Sequence, residues 1–508
     1  MHDGETRPKR LSVHNELGQT HSLADCRESF ARMGEQRGPA LFLGLGPSPW
    51  RIPTFVPQAW DKSFYVECPA CEAQMPAHWR EGIPAHFQPI PARVVLEGGW
   101  PGPVFFYLPG LKHFPSFWGP LWAKIRVDDI RAKARDHRSA HPSPAARTVI
   151  LPGTERGLLV PEISQAFVEA GFSVMVMDPA RTLEDIPGLL AQGRPDLFFS
   201  VNFQGLDEYG RVFHLLRAAG VAVAAWCVDN PFHLLTGQKN LLWKRLPLFV
   251  TDDWFIGPLR SLGADARHLP LAVSPKFFAP GAACPSGRDL TFVGRSSFPD
   301  RDRFFAACRI PESLIREAED LPGRQAHFGW WRDKLPDIPL WPGNDVRALG
   351  LGAETASAAW RRNCLTALAA ATDLTVIGDD AWRSLVPGVR LLPPVDYYAG
   401  LADACRRASF TLNLTSLLLP HGLTQRHFDV WACGGFLLTD DTPGLSIFPP
   451  DLTRPVTFET PEQAADLPAA LAAAPKRKDE LRRAWQEHIL AEHNYVRRLE
   501  VLLDAIRV

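Results

Sequence analysis

The sequence predicts an α/β protein: two Rossmann-like parallel-sheet domains facing across a cleft, preceded by an extra N-terminal domain. Three observations predict it. From Thr148 onward, short continuous apolar runs alternate with amphipathic helical stretches, the pattern of parallel strands buried on both faces by crossover helices. The alternation breaks once at a proline-punctuated segment and begins again at "DLTFVG" (289–294). The chain has 508 residues, more than one ordinary core holds.

Residues 1–146 form the accessory domain, dense in proline and tryptophan, with strand-like runs at "ALFLGLG", "RVVLEG" and "VFFYLPG" and irregular chain between them. "FPSFWGPLW" (114–122) reads as packed core or as a protein-docking surface. "DDIRAKARDHRSAHPSPAA" reads as a charged helix and then a linker ending near Ala146. The first Rossmann-like domain covers 147–284. "TVILPG" is a strand closed by glycine, "LVPEISQAFVEAG" an amphipathic helix, and "SVMVMD", "PDLFFSVNF", "VAVAAWCVD" and "PLFVTDD" are further strands. "HLPLAVSPKFFAPG" ends this domain as an irregular crossing. The second Rossmann-like domain covers 285–474, with strands at "DLTFVG", "DLTVIGD", "VRLLPPV", "FTLNLT" and "FLLTD" and a long helical middle. Residues 475–508 are a charged amphipathic helix or helix pair.

Composition excludes several classes. Hydrophobic residues make up 46% and charged ones 22%, which suits a globular enzyme rather than a disordered chain. Net charge is −1, so no global field favours nucleic acid or an anionic membrane, and phosphate binding has to be local. No apolar run approaches the roughly 20 residues that span a bilayer, and the polar start "MHDGETRPKRLSVHNE" lacks a signal-peptide core. Nine cysteines, mostly single and in apolar contexts, suit reduced thiols, so a cytoplasmic location is expected.

"QRHFDVWACGGFLLTDD" (425–441) is the most informative stretch. It reads as a helix whose start faces the cleft, a glycine stop, and a buried strand. Arg426 in the first turn can fork two phosphate oxygens. Asp429, one turn later, can accept hydrogen bonds from ribose hydroxyls. Gly434 and Gly435 return the chain tightly to the sheet. The bland alternative is an i,i+3 surface pair between Arg426 and Asp429.

"RHFDVWACGGFLLTDDTPGLSIF" resembles the signature of the CgeB-like (spore maturation protein CgeB) glycosyltransferases, a bacterial GT-B group. "RPDLFFSVNFQGLD" (194–207), "VAVAAWCVDNP" (221–231), "HLPLAVSPKFFAP" (268–280) and "HNYVRRLEVLL" (493–503) add to the resemblance, which covers about residues 148–508. It implies a GT-B fold and a sugar transferase whose C-terminal domain grips a nucleotide-sugar donor. The residues it implies there are Gly294 and Arg295 beneath the diphosphate, His421 and Gly422 near the donor sugar, and Arg426 and Asp429. His421 stands where many relatives carry an acid, so it either reaches the diphosphate or a donor-sugar hydroxyl, or is a plain loop residue.

The first domain supplies the acceptor side. Asp229, just beyond the buried strand "AAWCV", is the candidate general base or acceptor-orienting group; a helix-capping aspartate is its alternative. His233 is the runner-up, Glu155 in the first βα loop a third candidate, and Asp207 a weaker one; His214 reads as a helix-face residue. "ECPACEAQMPAH" holds one CxxC (Cys68, Cys71), a weak zinc signal that reads better as free thiols. There is no GxxxxGK[ST], and the adjacent "DD" pairs at 252–253, 379–380 and 440–441 make poor metal clamps. The resemblance to GT-B enzymes implies that catalysis needs no bound divalent ion, so no metal and no cofactor are expected.

The expected function is glycosyl transfer from a nucleotide-sugar donor to a hydroxyl acceptor, with a cell-envelope glycan or protein as the acceptor class considered. A nucleotide-sugar epimerase on the same fold, or a non-catalytic nucleotide-sugar-binding protein, is the alternative.

Overall fold

The computed structural model describes residues 11–34, 38–56, 62–135, 147–281 and 284–506. The expected linker up to Ala146 lies at 136–146, outside the described residues.

Two six-stranded parallel sheets carry the chain. The first contains β1 (Thr148–Pro152), β2 (Ser173–Met177), β3 (Leu197–Val201), β4 (Ala222–Cys227), β5 (Pro247–Val250) and β6 (Asp265–His268), in the order β6-β5-β4-β3-β1-β2. The second contains β7 (Leu290–Val293), β8 (Leu374–Ile377), β9 (Arg390–Leu392), β10 (Phe410–Asn413), β11 (Leu437–Asp440) and β12 (Thr457–Phe458), in the order β9-β8-β7-β10-β11-β12. Every pairing within these sheets is parallel. Central strands are apolar and buried along their length, as β3 and β4 are, because crossover helices cover both faces. The strand order reverses between β7 and β10. Helices leave in opposite directions there, and a crevice opens beyond the carboxyl ends of the strands. Two such domains facing across a cleft are the GT-B arrangement expected from the sequence. β12 is a strand that the sequence reading lacks.

The N-terminal region is more regular than its composition suggests. Five of its strands form one sheet in the order Phe30–Gly34, Pro103–Tyr107, Ala40–Leu43, Ser63–Val66, Phe87–Pro89, with only the first antiparallel to its neighbour, and Ser12–His14 pairs with Thr20–Ser22 in a separate antiparallel sheet. "RVVLEG" is helix rather than strand, Ala92–Gly98, with Val95 alone buried. "FPSFWGPLW" enters a long helix, Pro115–Arg135, whose Trp118 and Leu121 are core. That helix docks on the first Rossmann domain at Gly119, where a Cβ would lie 2.1 Å from the His214 ring. His214 is thus a buried packing residue.

In the first domain, helix α1 (Val160–Glu169) follows β1 and the short helix α2 (Pro231–Leu235) follows β4. After β7 an insertion precedes the long helix α3 (Val346–Ala371). Phe328 of this insertion packs with Phe232 and Phe255 of the first domain at ring separations of 6.4 and 5.9 Å. A cut at 284/285 therefore does not separate the two cores. Helix α4 (Arg426–Ala432) joins β10 to β11. The tail is a helix pair, α5 (Pro475–Glu492) and α6 (Tyr495–Ile506). α6 packs back on α1 of the first domain, and Arg498 fastens it there by donating Nε to the Pro270 oxygen at 2.9 Å. Among the described residues, no helix is long and apolar enough to cross a membrane.

Candidate active site

The reversal of strand order in the second sheet places the site. β7 runs out into Gly294 and Arg295, and β10 into Leu414 and Ser416; both turns open on a cleft of about 560 Å3. The first domain contributes Asp229, Asn230 and His233, and helices α3 and α4 contribute Glu354, Arg361 and Arg426. Gly294, Arg295, Arg426, Asp229 and His233, all singled out in the sequence, are brought together here.

Asp229 reaches the cleft because the wholly apolar β4 ends two residues before it. The next helix needs a cap, and Asn230 provides it: its Oδ1 accepts from the amides of Phe232 at 3.0 Å and His233 at 3.4 Å. The Asp229 carboxylate is therefore free of capping. One of its oxygens, Oδ2, accepts from Asn202 Nδ2 at 2.7 Å. Burial by the cleft walls raises the Asp229 pKa above the usual aspartate value, and the Asn202 bond opposes that rise.

Across the cleft stand two guanidinium groups with no hydrogen-bonded or ion-paired partner among the described residues. Arg426 makes no hydrogen bond or ion pair among the described residues, and its Nε is buried. The Arg295 side chain is likewise unpaired and exposed to the cleft. A partly buried cation without a partner is costly, and a planar fork of donors suits a phosphate. Arg361, on α3, fixes the turn beneath: its Nη1 donates to the Arg295 oxygen at 3.1 Å while Nη2 pairs with Glu354 at 3.2 Å. Burial raises the Glu354 pKa and the Arg361 charge opposes it. Asn413 ends β10 with its side chain buried, donating to Thr439 Oγ1 at 3.2 Å and accepting from Thr424 Oγ1 at 2.8 Å. Asp440 pins the 414–419 loop by accepting from the Thr415 amide at 3.0 Å and pairing with Arg324 at 2.9 Å, so the "DD" at 440–441 has a structural use.

Four expected contributors lie elsewhere. Asp429 is buried one turn into α4, under Tyr397, whose hydroxyl donates to its Oδ2 at 2.5 Å. It is not among the residues lining the cleft and forms no ion pair with Arg426, so the surface pair is not formed; burial holds its pKa well above the usual range. His421 turns to the first domain instead, where its amide donates to Asp252 at 3.0 Å and its Nδ1 sits 2.8 Å from Asp253. Gly422 is required by packing, since a Cβ would lie 2.4 Å from that of Leu419. Glu155 is exposed on its loop and does not line the cleft. His233 does line it, but burial and Arg347 push its pKa down to about 3, and its ring is wedged against Phe304, Phe305 and Phe328. A neutral, enclosed imidazole of that kind is a poor base near neutral pH.

Glu354, Arg361, Asn413 and Ser416 were not marked in the sequence. Glu354 and Arg361 are seven apart on one helix face, a spacing that any long amphipathic helix contains. Cys68 and Cys71 are free thiols, and burial raises both of their pKa values. Asp252, Asp253 and His421 bring ligand atoms within 4.8 Å of one another, with the His421 Nδ1 already bonded to Asp253 and its backbone amide to Asp252.

No curated protein matches the chain. Among solved structures it is similar to TarM, with a TM-score of 0.41 at 10% identity over 65% of this chain; it spans 58% of the length of TarM. It is similar to Anabaena Alr3699/HepE, solved with UDP and glucose, with a TM-score of 0.42 at 8% identity, over 72% of this chain and 100% of that one. It is also similar to T4 phage BGT, solved with its UDP-glucose substrate, with a TM-score of 0.39 at 9% identity, over 71% and 100%. Residues 361–504, which carry Arg361, Asn413, Ser416 and Arg426, match a family model, and the family to which this part of the chain is similar is the glycosyl transferase-like one.

Proposed function

We propose that this chain is a CgeB-like glycosyltransferase of the cytoplasm that moves a sugar from a nucleotide-sugar donor to a hydroxyl acceptor. One observation carries the reading: the partnerless guanidinium of Arg426 shares one cleft with the uncapped carboxylate of Asp229. The family match over 361–504 supports it. Arg426 and Arg295 take the donor diphosphate, over the turn at Gly294 that Arg361 holds. Asp229 accepts the proton of the acceptor hydroxyl as that oxygen bonds to the anomeric carbon. The bond from that carbon to the diphosphate breaks, and the two cations stabilise the negative charge of the departing nucleoside diphosphate. With that charge met by arginine, the scheme needs no divalent ion. Closure of the cleft excludes water, which would otherwise hydrolyse the donor.

The test is a thermal-shift panel of nucleoside diphosphates and nucleotide sugars on wild type and Arg426→Ala. A ligand at a hundred times its Kd stabilises by about 2.7 kcal/mol. Stabilisation by one nucleotide, weakened in the variant, is expected. No shift with any nucleotide overturns the donor pocket. Conversion of the donor sugar without an acceptor would favour an epimerase instead, and binding without turnover a non-catalytic protein.

A further inference from the structure

We propose that Asn202 is the positioning residue for Asp229, holding one carboxylate oxygen so that the other meets the acceptor hydroxyl; this rests on the assignment of Asp229 as proton acceptor made above. β3 and β4 are parallel with Val201 opposite Trp226, so the residues just beyond their ends emerge side by side. Asn202 is the first residue past β3, and three hydrogen bonds fix it. Its amide donates to the Trp226 oxygen at 2.8 Å, its Oδ1 accepts from the Val228 amide at 2.9 Å, and its Nδ2 donates to Asp229 Oδ2 at 2.7 Å. The Val228 amide needs an acceptor, so Oδ1 faces it and the NH2 faces the carboxylate.

The backbone is bent to make this possible. Asn202 and Phe203 have φ of 53° and 59°, the left-handed region, and neither is glycine. Consecutive residues of this kind are retained where the surroundings fix them to aim a side chain, and asparagine tolerates the region better than most. Asp229 Oδ2 is thereby occupied, leaving Oδ1 for the substrate. The charged or titratable groups that share the cleft are His233 on α2, Arg295 in the β7 turn, Arg426 on α4, and Glu354 paired with Arg361 on α3; Cys227 lies behind on β4. None of them hydrogen-bonds or ion-pairs with Asp229 among the described residues. Asn202 is thus the group that favours the charged carboxylate against the effect of burial.

The test uses Asn202→Asp, which keeps the shape and the Val228 bond but sets an oxygen against Asp229. Asn202→Gly is the second variant, which removes the side chain while keeping the left-handed backbone accessible. Two readouts are taken on the full chain: the carboxyl titration of Asp229 by carbon-13 NMR, identified by its absence in Asp229→Asn, and the pH profile of nucleoside diphosphate release from the nucleotide sugar giving the largest thermal shift. Losing a donor to the charged form raises the carboxyl pKa, so the acid limb of kcat should move to higher pH in step with the titration. KM for the donor should stay within about twofold, and kcat at its optimum should fall by up to about a hundredfold, the order that a small misplacement costs. Turnover retained in Asp229→Asn overturns the proton-acceptor assignment and this inference with it. A dead Asp229→Asn with an unmoved limb in Asn202→Asp overturns the positioning role alone.

Discussion

Asn230 joins the two halves of the cleft: its Oδ1 caps α2 while its Nδ2 donates to the Leu418 oxygen of the other domain, 3.0 Å away. One side chain therefore serves both local helix stability and domain closure. Asn230→Ala should lose about 2 kcal/mol, roughly half from the cap and half from the bond. Asn230→Ser keeps a capping oxygen and lacks the Nδ2 donor, so it should lose only about 1 kcal/mol. Urea unfolding of the two variants checks the division; equal losses would show that the cap contributes nothing, and no loss in Asn230→Ser would show that the bridge contributes nothing.

Arg426 should behave in the opposite way. It has no hydrogen bond or ion pair to lose among the described residues, so Arg426→Ala should leave unfolding free energy unchanged or slightly higher, since the substitution takes a cation out of a partly buried site. Affinity for the nucleoside diphosphate should fall, by about 1.5–3 kcal/mol for lost charged hydrogen bonds, or roughly tenfold to a hundredfold in Kd. Arg426→Lys should recover little, because a point charge does not reproduce the planar fork. Calorimetric titration alongside urea unfolding separates the two effects.

The alternation of apolar runs with amphipathic helices made both parallel sheets legible, since strands covered on both faces leave continuous hydrophobic stretches. Strand order was not legible, because nothing local distinguishes β7 and β10 as neighbours. Hence the cleft-side use of Gly294, Arg295 and Arg426 could be anticipated while Asn413 and Ser416 could not. The burial of Asp429 was not legible for a tertiary reason: Tyr397, more than thirty positions away, closes over it. Asp229 was weighed against a capping role that its neighbour Asn230 performs. The sheet of the N-terminal domain was obscured because its strands are short and proline interrupts the polarity pattern between them.

His233 ties stability to pH. Its folded pKa is about 3, against an ordinary value near 6.5. Above 6.5 neither state is protonated and the group adds no pH dependence. As pH falls below 6.5 the unfolded chain takes a proton that the folded chain refuses, and stability drops by about 1.4 kcal/mol per unit until the folded value is approached. Buried acids such as Glu162 and Glu354, whose pKa values are raised, work in the opposite sense, so the whole-protein slope mixes both. The slope between pH 6 and 4 should therefore be shallower in His233→Leu than in wild type by about one proton, read by urea unfolding at each pH. Identical slopes would mean that the ring is solvated.

The same ring sets a steric limit on α3. A Cβ at Gly350 would stand 2.1 Å from His233 Nε2 and 2.2 Å from its Cε1. Gly→Ala inside a helix ordinarily stabilises by up to about 1 kcal/mol, yet here overpacking of about 1–3 kcal/mol opposes it. Gly350→Ala should therefore be destabilising in wild type and stabilising in a His233→Ala background, a change of sign that a double-mutant cycle reads directly. Function should follow the same logic. α3 carries Glu354 one turn beyond Gly350 and then Arg361, whose bond to the Arg295 oxygen holds the β7 turn. Pushing α3 away from His233 loosens that turn, so donor affinity should fall in Gly350→Ala and return when His233 is truncated. Loss of affinity that persists in the double variant would place the effect in α3 itself rather than in its contact with the ring.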